Sequence, residues 1–142
     1  MRFMMLVRAD PNTEAGMLPT REMIETMGRY NEELVKAGVL LAADGLHASS
    51  RGARVAFGGG RVTVTDGPFA EAKELIAGYW MLQVSSREEA VEWACRVPLE
   101  DGVVELRQVL EIGDFPEDAV SPEALAREQE LSERVRQQQA DR

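Results

Sequence analysis

The sequence of 142 residues is poor in residues that build disulfides and metal sites: it has one cysteine and one histidine. With Cys95 alone, the chain cannot form an internal disulfide or a cysteine-based zinc site. His47 has no second potential ligand at close spacing, so it matches no known metal-binding pattern. We therefore expect no bound metal, and no motif in the sequence indicates a cofactor.

Positive charge is also scarce. Lys and Arg number 16 against 25 Asp and Glu, which gives a formal net charge of -9. Nucleic-acid backbones and anionic membranes bind concentrated Lys and Arg, so neither is expected as the main partner. The segment 116–142 carries -3 and the first 115 residues carry -6. The acidity therefore belongs to the whole surface rather than to one tail.

Long hydrophobic runs are absent. No segment approaches the roughly 18 consecutive apolar residues of a membrane span. The apolar run 3–7 near the N-terminus ends at Arg8, whereas a secretory signal needs about 7–15 apolar residues and a cleavage site. This run is therefore predicted to be the first strand, and the protein is expected to be cytoplasmic. Hydrophobic residues still make up 44% of the chain, enough for the core of one domain.

Capping and periodicity signals predict an alternation of strands and helices. Thr20 is a typical N-cap, and apolar residues at helical spacing follow it as far as Gly38, a typical stop. Ser86 opens a second helix, which Pro98 ends. Strands are predicted over 3–7, 39–43, 54–57, 61–65, 79–84 and 103–110. A short helix is predicted over 70–76, and a loop over 10–19.

The order of these elements is βαβ, a β-hairpin around Gly58–Gly60, and βαβ again, which predicts an α+β, ferredoxin-like fold. Residues 1–113 form the predicted domain. Residues 114–142 form a C-terminal helical extension that starts at the N-cap Ser121 and Pro122. A sheet with helices on one face leaves its other face open, and such a face usually packs against a partner. We therefore predict a homodimer.

One stretch has a specific signature. Asp66–Phe69, followed by Ala-Glu-Ala-Lys-Glu over 70–74, resembles the DGPF branch of the YCII-related proteins. The segments 77–80, 88–94 and 104–107 are similar to that branch as well. The resemblance covers about residues 1–112 and implies a dimeric α/β barrel.

The resemblance implies little about activity, since most such proteins are uncharacterised. Many DGPF proteins look to be encoded beside extracytoplasmic-function sigma factors, which hints at a regulatory setting. The wider YCII-like proteins resemble enzymes with a His-Asp pair, whose histidine lies near the start of the first helix. Here the segment 19–23 contains no histidine, and this departure argues against direct transfer of that mechanism.

Glu105 and Arg107 are two residues apart on the last strand, so they share one face of the sheet. Arg107 is a candidate ligand-binding residue for a carboxylate or phosphate, with Glu105 as its anchor or as a base. The alternative is an ion pair that fixes the register of the dimer. The sequence does not decide between the two.

His47 and Asp66 are the other candidate catalytic residues. His47 follows a predicted strand and is a candidate general acid or base, oriented by Asp44 or Asp66. The simpler alternatives are a solvated loop histidine and an aspartate that shapes the turn. Lys73 is a candidate ligand-binding residue that can point back to Asp66, or part of a solvated helix face.

Two functions follow from these patterns. The first is a cofactor-independent enzyme that acts on a small anionic or aromatic metabolite in an inter-subunit cavity. The second is a non-catalytic ligand-binding or regulatory module, for which a sigma-factor link is implied by the resemblance alone. A third possibility, a structural dimer without a ligand, requires that side chains fill the space between the sheets.

Overall fold

The computed structural model describes residues 1–142, which form two compact units, Met1–Val109 and Leu110–Arg142. The strands are β1 (Arg2–Arg8), β2 (Leu40–Gly45), β3 (Ala53–Gly58), β4 (Arg61–Asp66), β5 (Ile76–Gln83) and β6 (Val104–Gln108). The helices are α1 (Pro11–Glu14), α2 (Arg21–Lys36), α3 (Arg87–Cys95) and α4 (Pro122–Ala140). Short 3-10 helices span Ser49–Arg51, Ala72–Glu74, Ile112–Asp114 and Glu117–Ala119.

Four strands form one sheet in the order β2-β5-β1-β6, and each neighbouring pair is antiparallel. Strands β1 and β2 are therefore parallel with β5 between them, and β5 and β6 are parallel with β1 between them. These two interleaved βαβ units confirm the predicted α+β, ferredoxin-like fold. Strands β3 and β4 form the predicted hairpin as a separate two-stranded sheet.

The capping signals in the sequence mark helix starts correctly. The side chains of Thr20, Ser86 and Ser121 each accept a hydrogen bond from the backbone N–H three residues later. The predicted loop 10–19 differs from the structure, because Asp10 and Thr13 form a reciprocal capping box that starts α1. The predicted helix 70–76 is only the 3-10 turn Ala72–Glu74, because Ile76 already pairs with Arg8 in the sheet.

The core lies between the sheet and helices α2 and α3. Strand alternation directs one set of side chains toward the helices, where they meet the apolar side of each helix. The buried cluster consists of Phe3, Met5, Tyr30, Leu34, Val39, Trp80, Leu82, Val84, Ala90, Trp93 and Val97. Both helices therefore cover the same face of the sheet.

The opposite face of the sheet, here called the open face, is half-buried at its centre. Met4 and Leu6 of β1 and Met81 of β5 lie there, next to Tyr79. The hairpin also presents apolar side chains to solvent: Val55 is paired with Val64, and Phe57, which is 79% exposed, with Val62. Exposed apolar patches of this kind are typical of surfaces that contact other molecules.

Tyr30 joins α2 to β5 and to α3. Its ring packs edge-on against Trp80 and Trp93, with ring centroids 5.7 and 6.4 Å away. Its hydroxyl donates to the backbone oxygen of Trp93 at 2.7 Å. Burial raises the pKa of Tyr30 to about 12, so the folded protein retains the phenolic proton at a pH where the unfolded chain releases it.

This pKa has a consequence for stability at high pH. Because the raised pKa favours proton binding in the folded state, stability should fall as the pH rises from about 10 to about 12. Tyr30→Phe should cost about 1 kcal/mol at neutral pH and flatten that alkaline decline. Urea unfolding between pH 7 and 12 measures both effects. Parallel pH profiles for the two proteins would contradict the assignment.

The turn after β4 brings Gly67 against the 3-10 helix Ser49–Arg51. The Gly67 N–H donates to the oxygen of Gly52 at 3.0 Å, and a Cβ on Gly67 would lie 1.7 Å from the backbone oxygen of Ser49. Only glycine is compatible with this approach. The Phe69 N–H donates to Ser49 Oγ at 3.0 Å, and Phe69 packs beneath the guanidinium of Arg54 rather than within the core cluster.

Gly67→Ala should therefore destabilise the protein strongly, by about 3 kcal/mol or more, because the new methyl group collides with the backbone. Gly58→Ala is the matched control on the same hairpin, where a Cβ meets no atom within 4 Å. Thermal and urea unfolding of the two variants measures the difference. Equal stability of the two would contradict the close approach.

The unit Leu110–Arg142 contains the predicted C-terminal helix, α4, with Ser121 as its N-cap and Pro122 in its first turn. None of its residues is buried, and Leu131 and Val135 are exposed. No helix in the protein combines the length and apolarity needed to cross a membrane.

Candidate functional site

The candidate residues predicted from the sequence lie in different parts of the first unit. Glu105 and Arg107 lie on the open face, where Glu105 is paired with Leu6 and Arg107 with Met4. Asp66 ends β4 on the hairpin and is exposed. His47 follows β2. No hydrogen bond or ion pair joins Asp66 or His47 to the Glu105–Arg107 pair.

Arg8 organises the charged cluster on the open face. One of its guanidinium nitrogens donates to Glu105 Oε1 at 2.8 Å, and another donates to the backbone oxygen of Lys73 at 2.8 Å. Arg107 approaches Glu105 Oε2 at 3.6 Å, and its side chain is 72% exposed. Lys73 thus joins this cluster through its backbone, and its ammonium forms no ion pair with Asp66.

The hydrogen bond from Arg8 holds the pKa of Glu105 below its usual range, and Arg107 adds to this effect. A carboxylate stabilised in its charged form is a weaker proton acceptor. The geometry is therefore that of an ion-pair network in which Arg107 is the more exposed of two guanidinium groups. Sequence reasoning paired Glu105 with Arg107 but missed Arg8, which is 97 residues from Glu105 in the chain.

A concave feature lies on the other side of the sheet and has His47 at its margin. It is a pocket of about 560 Å³ between α2, the loop after α1 and the adjoining ends of β2 and β5. Its walls are mainly apolar and include Met17, Leu18, Met23, Met27, Ala43 and Trp80. No Lys or Arg side chain lines it. A pocket of this size and lining is typical of small-molecule sites.

Most polar groups along this pocket are used in local hydrogen bonds. Asp10 accepts from the Thr13 N–H, and the Thr13 hydroxyl donates to the oxygen of Asp10. Thr20 Oγ1 accepts from the Met23 N–H, as the N-cap of α2. Asn31 Oδ1 accepts from Trp80 Nε1 at 2.8 Å. These bonds fix the pocket wall before any ligand enters.

Asp44 and Tyr79 form a second local pair. The Tyr79 hydroxyl donates to Asp44 Oδ2 at 2.7 Å, and this bond raises the pKa of Tyr79. His47 is exposed at the pocket margin, and its Nε2 lies 3.3 Å from Nη1 of Arg51. A guanidinium only donates, so a hydrogen bond in this contact requires Nε2 of His47 as the acceptor. Neither Asp44 nor Asp66 hydrogen-bonds to His47.

The loop that borders the pocket is connected to the turn at Gly67. Glu14 Oε1 accepts from the Ser49 N–H at 2.9 Å, and Glu14 Oε2 accepts from the Ser49 hydroxyl at 2.5 Å. The same hydroxyl oxygen accepts from the Phe69 N–H. Ser49 therefore links α1 to the hairpin. No group of three His, Cys, Asp or Glu residues lies close enough together to hold a metal ion.

Comparison with known proteins supports the kinship indicated by the turn sequence. An uncharacterized protein of Rhizobium meliloti (strain 1021), R00369, is 29% identical over 72 residues, which cover 51% of this chain and 58% of that protein. The match thus spans less than two thirds of the relative's length. The family model of the YCII-related domain matches residues 1–113, most of the chain. The chain belongs to the YCII-related domain family.

Proposed function

We propose that the protein binds a small, uncharged aromatic molecule in the pocket between α2 and the sheet. The observation that carries this proposal is the pocket of about 560 Å³, which has apolar walls and no lining Lys or Arg. Thioether and indole groups from Met23, Met27 and Trp80 offer polarisable surfaces suited to a flat ring. The site lies within one chain, so it needs no residue from a partner.

Charge favours an uncharged ligand over an anion. The protein carries -9 overall, and Asp10 is among the residues that line the pocket. An anion that entered would leave water without gaining a cationic partner, which is costly. Arg107, the candidate anion-binding residue, lies on the open face of the sheet and does not line the pocket. Of the two kinds of ligand expected from the sequence, anionic and aromatic, the aromatic one is therefore preferred.

His47 is the residue that we assign to proton transfer if the ligand is converted, since it lies at the pocket margin. One observation favours binding without conversion. His47 contacts Arg51 and not a carboxylate, so the base lacks the orienting acid of a His-Asp pair. Within the family, the sequence Asp66–Phe69 supports placement in the DGPF branch.

The proposal is tested with two dyes that share one ring system. N-phenyl-1-naphthylamine is uncharged, and 8-anilinonaphthalene-1-sulfonate adds a sulfonate. Fluorescence titration should show the uncharged dye binding at least about tenfold more tightly, since the pocket offers the sulfonate no cation. Met27→Trp should block the pocket and weaken binding about tenfold or more, and Ile24→Trp, on the same helix but outside the pocket, should not.

Met23→Trp is a second blocking variant at an exposed position, for use if Met27→Trp is unstable. Thermal unfolding of each variant verifies its fold. Equal dye affinity in the blocked and control variants would place the dye elsewhere on the surface and contradict the proposal. So would tighter binding of the sulfonated dye.

We also propose that two chains pair through their open faces as a homodimer. The support is the half-buried apolar strip of Met4, Leu6 and Met81 on the face of the sheet opposite α2 and α3. The Arg8–Glu105–Arg107 network borders this strip and provides charges that select one register. Pairing would remove the strip from water, the usual driving force for association.

Met81→Glu should convert the dimer into a monomer of 15.7 kDa, because it places a carboxylate in the centre of the open face. Val55→Glu is the matched control on the exposed apolar side of the hairpin. Sedimentation equilibrium measures the mass of each protein. A monomeric wild-type protein, or dissociation by Val55→Glu in place of Met81→Glu, would contradict pairing through the open face.

A further inference from the structure

Asn31 lies on α2 at the level of the pocket and is half-buried. Its Oδ1 accepts from Trp80 Nε1 at 2.8 Å. An indole N–H only donates, so the contact with Trp80 determines which end of the amide is the oxygen. The amide nitrogen, Nδ2, is therefore directed away from the indole nitrogen.

Nδ2 of Asn31 makes no hydrogen bond with any other group of the chain. The protein contains no buried side-chain nitrogen or oxygen without a partner, so Nδ2 is accessible rather than sealed in the core. Because Asn31 lines the pocket, an accessible Nδ2 is a donor that a bound molecule can reach. Thr13 Oγ1, Thr20 Oγ1 and Asp10 Oδ1, from other residues that line the pocket, take part in local hydrogen bonds.

We propose that Asn31 is a specificity-determining residue, which selects aromatic ligands that carry an uncharged hydrogen-bond acceptor such as a ketone oxygen. This inference rests on the proposed pocket function. An amide N–H that faces a ligand without an acceptor loses its bond to water, so such a ligand binds less well. Trp80 holds the amide in one orientation before the ligand arrives, which lowers the entropic cost of the bond.

The experiment uses the full chain and two probes of nearly equal shape, 2-acetylnaphthalene and 2-ethylnaphthalene. They differ only where a ketone oxygen replaces a methylene hydrogen pair. Affinities come from isothermal titration calorimetry or quenching of tryptophan fluorescence. The wild-type protein should bind the acetyl compound about tenfold more tightly than the ethyl compound, as expected for one additional hydrogen bond.

Asn31→Asp keeps an oxygen acceptor for Trp80 and replaces the donor with a second oxygen. It should weaken binding of 2-acetylnaphthalene about tenfold or more and change the affinity for 2-ethylnaphthalene much less. Gln108→Glu is the control, since it makes the same amide-to-carboxylate change at an exposed residue outside the pocket. It should leave the preference for the acetyl compound intact.

The outcomes separate the two proposals. Equal wild-type affinities for the two probes, both abolished by Met27→Trp, would overturn the role of Asn31 while supporting the pocket. The same is true if Asn31→Asp and Gln108→Glu reduce binding equally. Failure of both probes to bind, or binding that Met27→Trp leaves unchanged, would overturn the pocket function itself. Because the wild-type comparison needs no variant, the test remains decisive even if Asn31→Asp fails to fold.

Discussion

The indole of Trp80 is the contact on which both the core and the pocket depend. Its ring is buried against Tyr30, which in turn reaches Trp93 on α3, so one aromatic row connects β5, α2 and α3. Its N–H bonds Asn31 at the pocket wall. A shift of α2 along the sheet would therefore break the core packing and the amide orientation together. The pocket wall and the core therefore share this residue.

A specific turn sequence does not need to have a catalytic role. Gly67 lies so close to the backbone of Ser49 that any side chain is excluded, and Phe69 binds the Ser49 hydroxyl through its N–H. Ser49 also donates two hydrogen bonds to the Glu14 carboxylate, which connects the turn to the loop that borders the pocket. The sequence Asp66–Phe69 therefore has a structural role. It positions a pocket wall, and Asp66 itself remains exposed on the hairpin.

The fold was predictable from local signals, whereas the site was not. Thr20, Ser86 and Ser121 mark helix starts through bonds that span three residues, and alternation places Glu105 and Arg107 on one face. The site depends on contacts between distant residues. Asn31 meets Trp80 across 49 residues, and Arg8 meets Glu105 across 97. Register and the packing of α2 determine these pairs, and a single sequence contains no local signal for either.

The two faces of the sheet are chemically distinct, and this separates the proposed ligand pocket from the proposed dimer surface. Arg8 and Arg107 lie on the open face, whereas no cationic side chain lines the pocket on the helix-covered side. On a protein with a net charge of -9, the open face offers cationic groups to an anion, whereas the proposed pocket offers none. Since adjacent side chains on a strand point to opposite faces, Leu106 lies on the core side and Arg107 on the open side. The alternation that builds the sheet therefore also divides its chemistry.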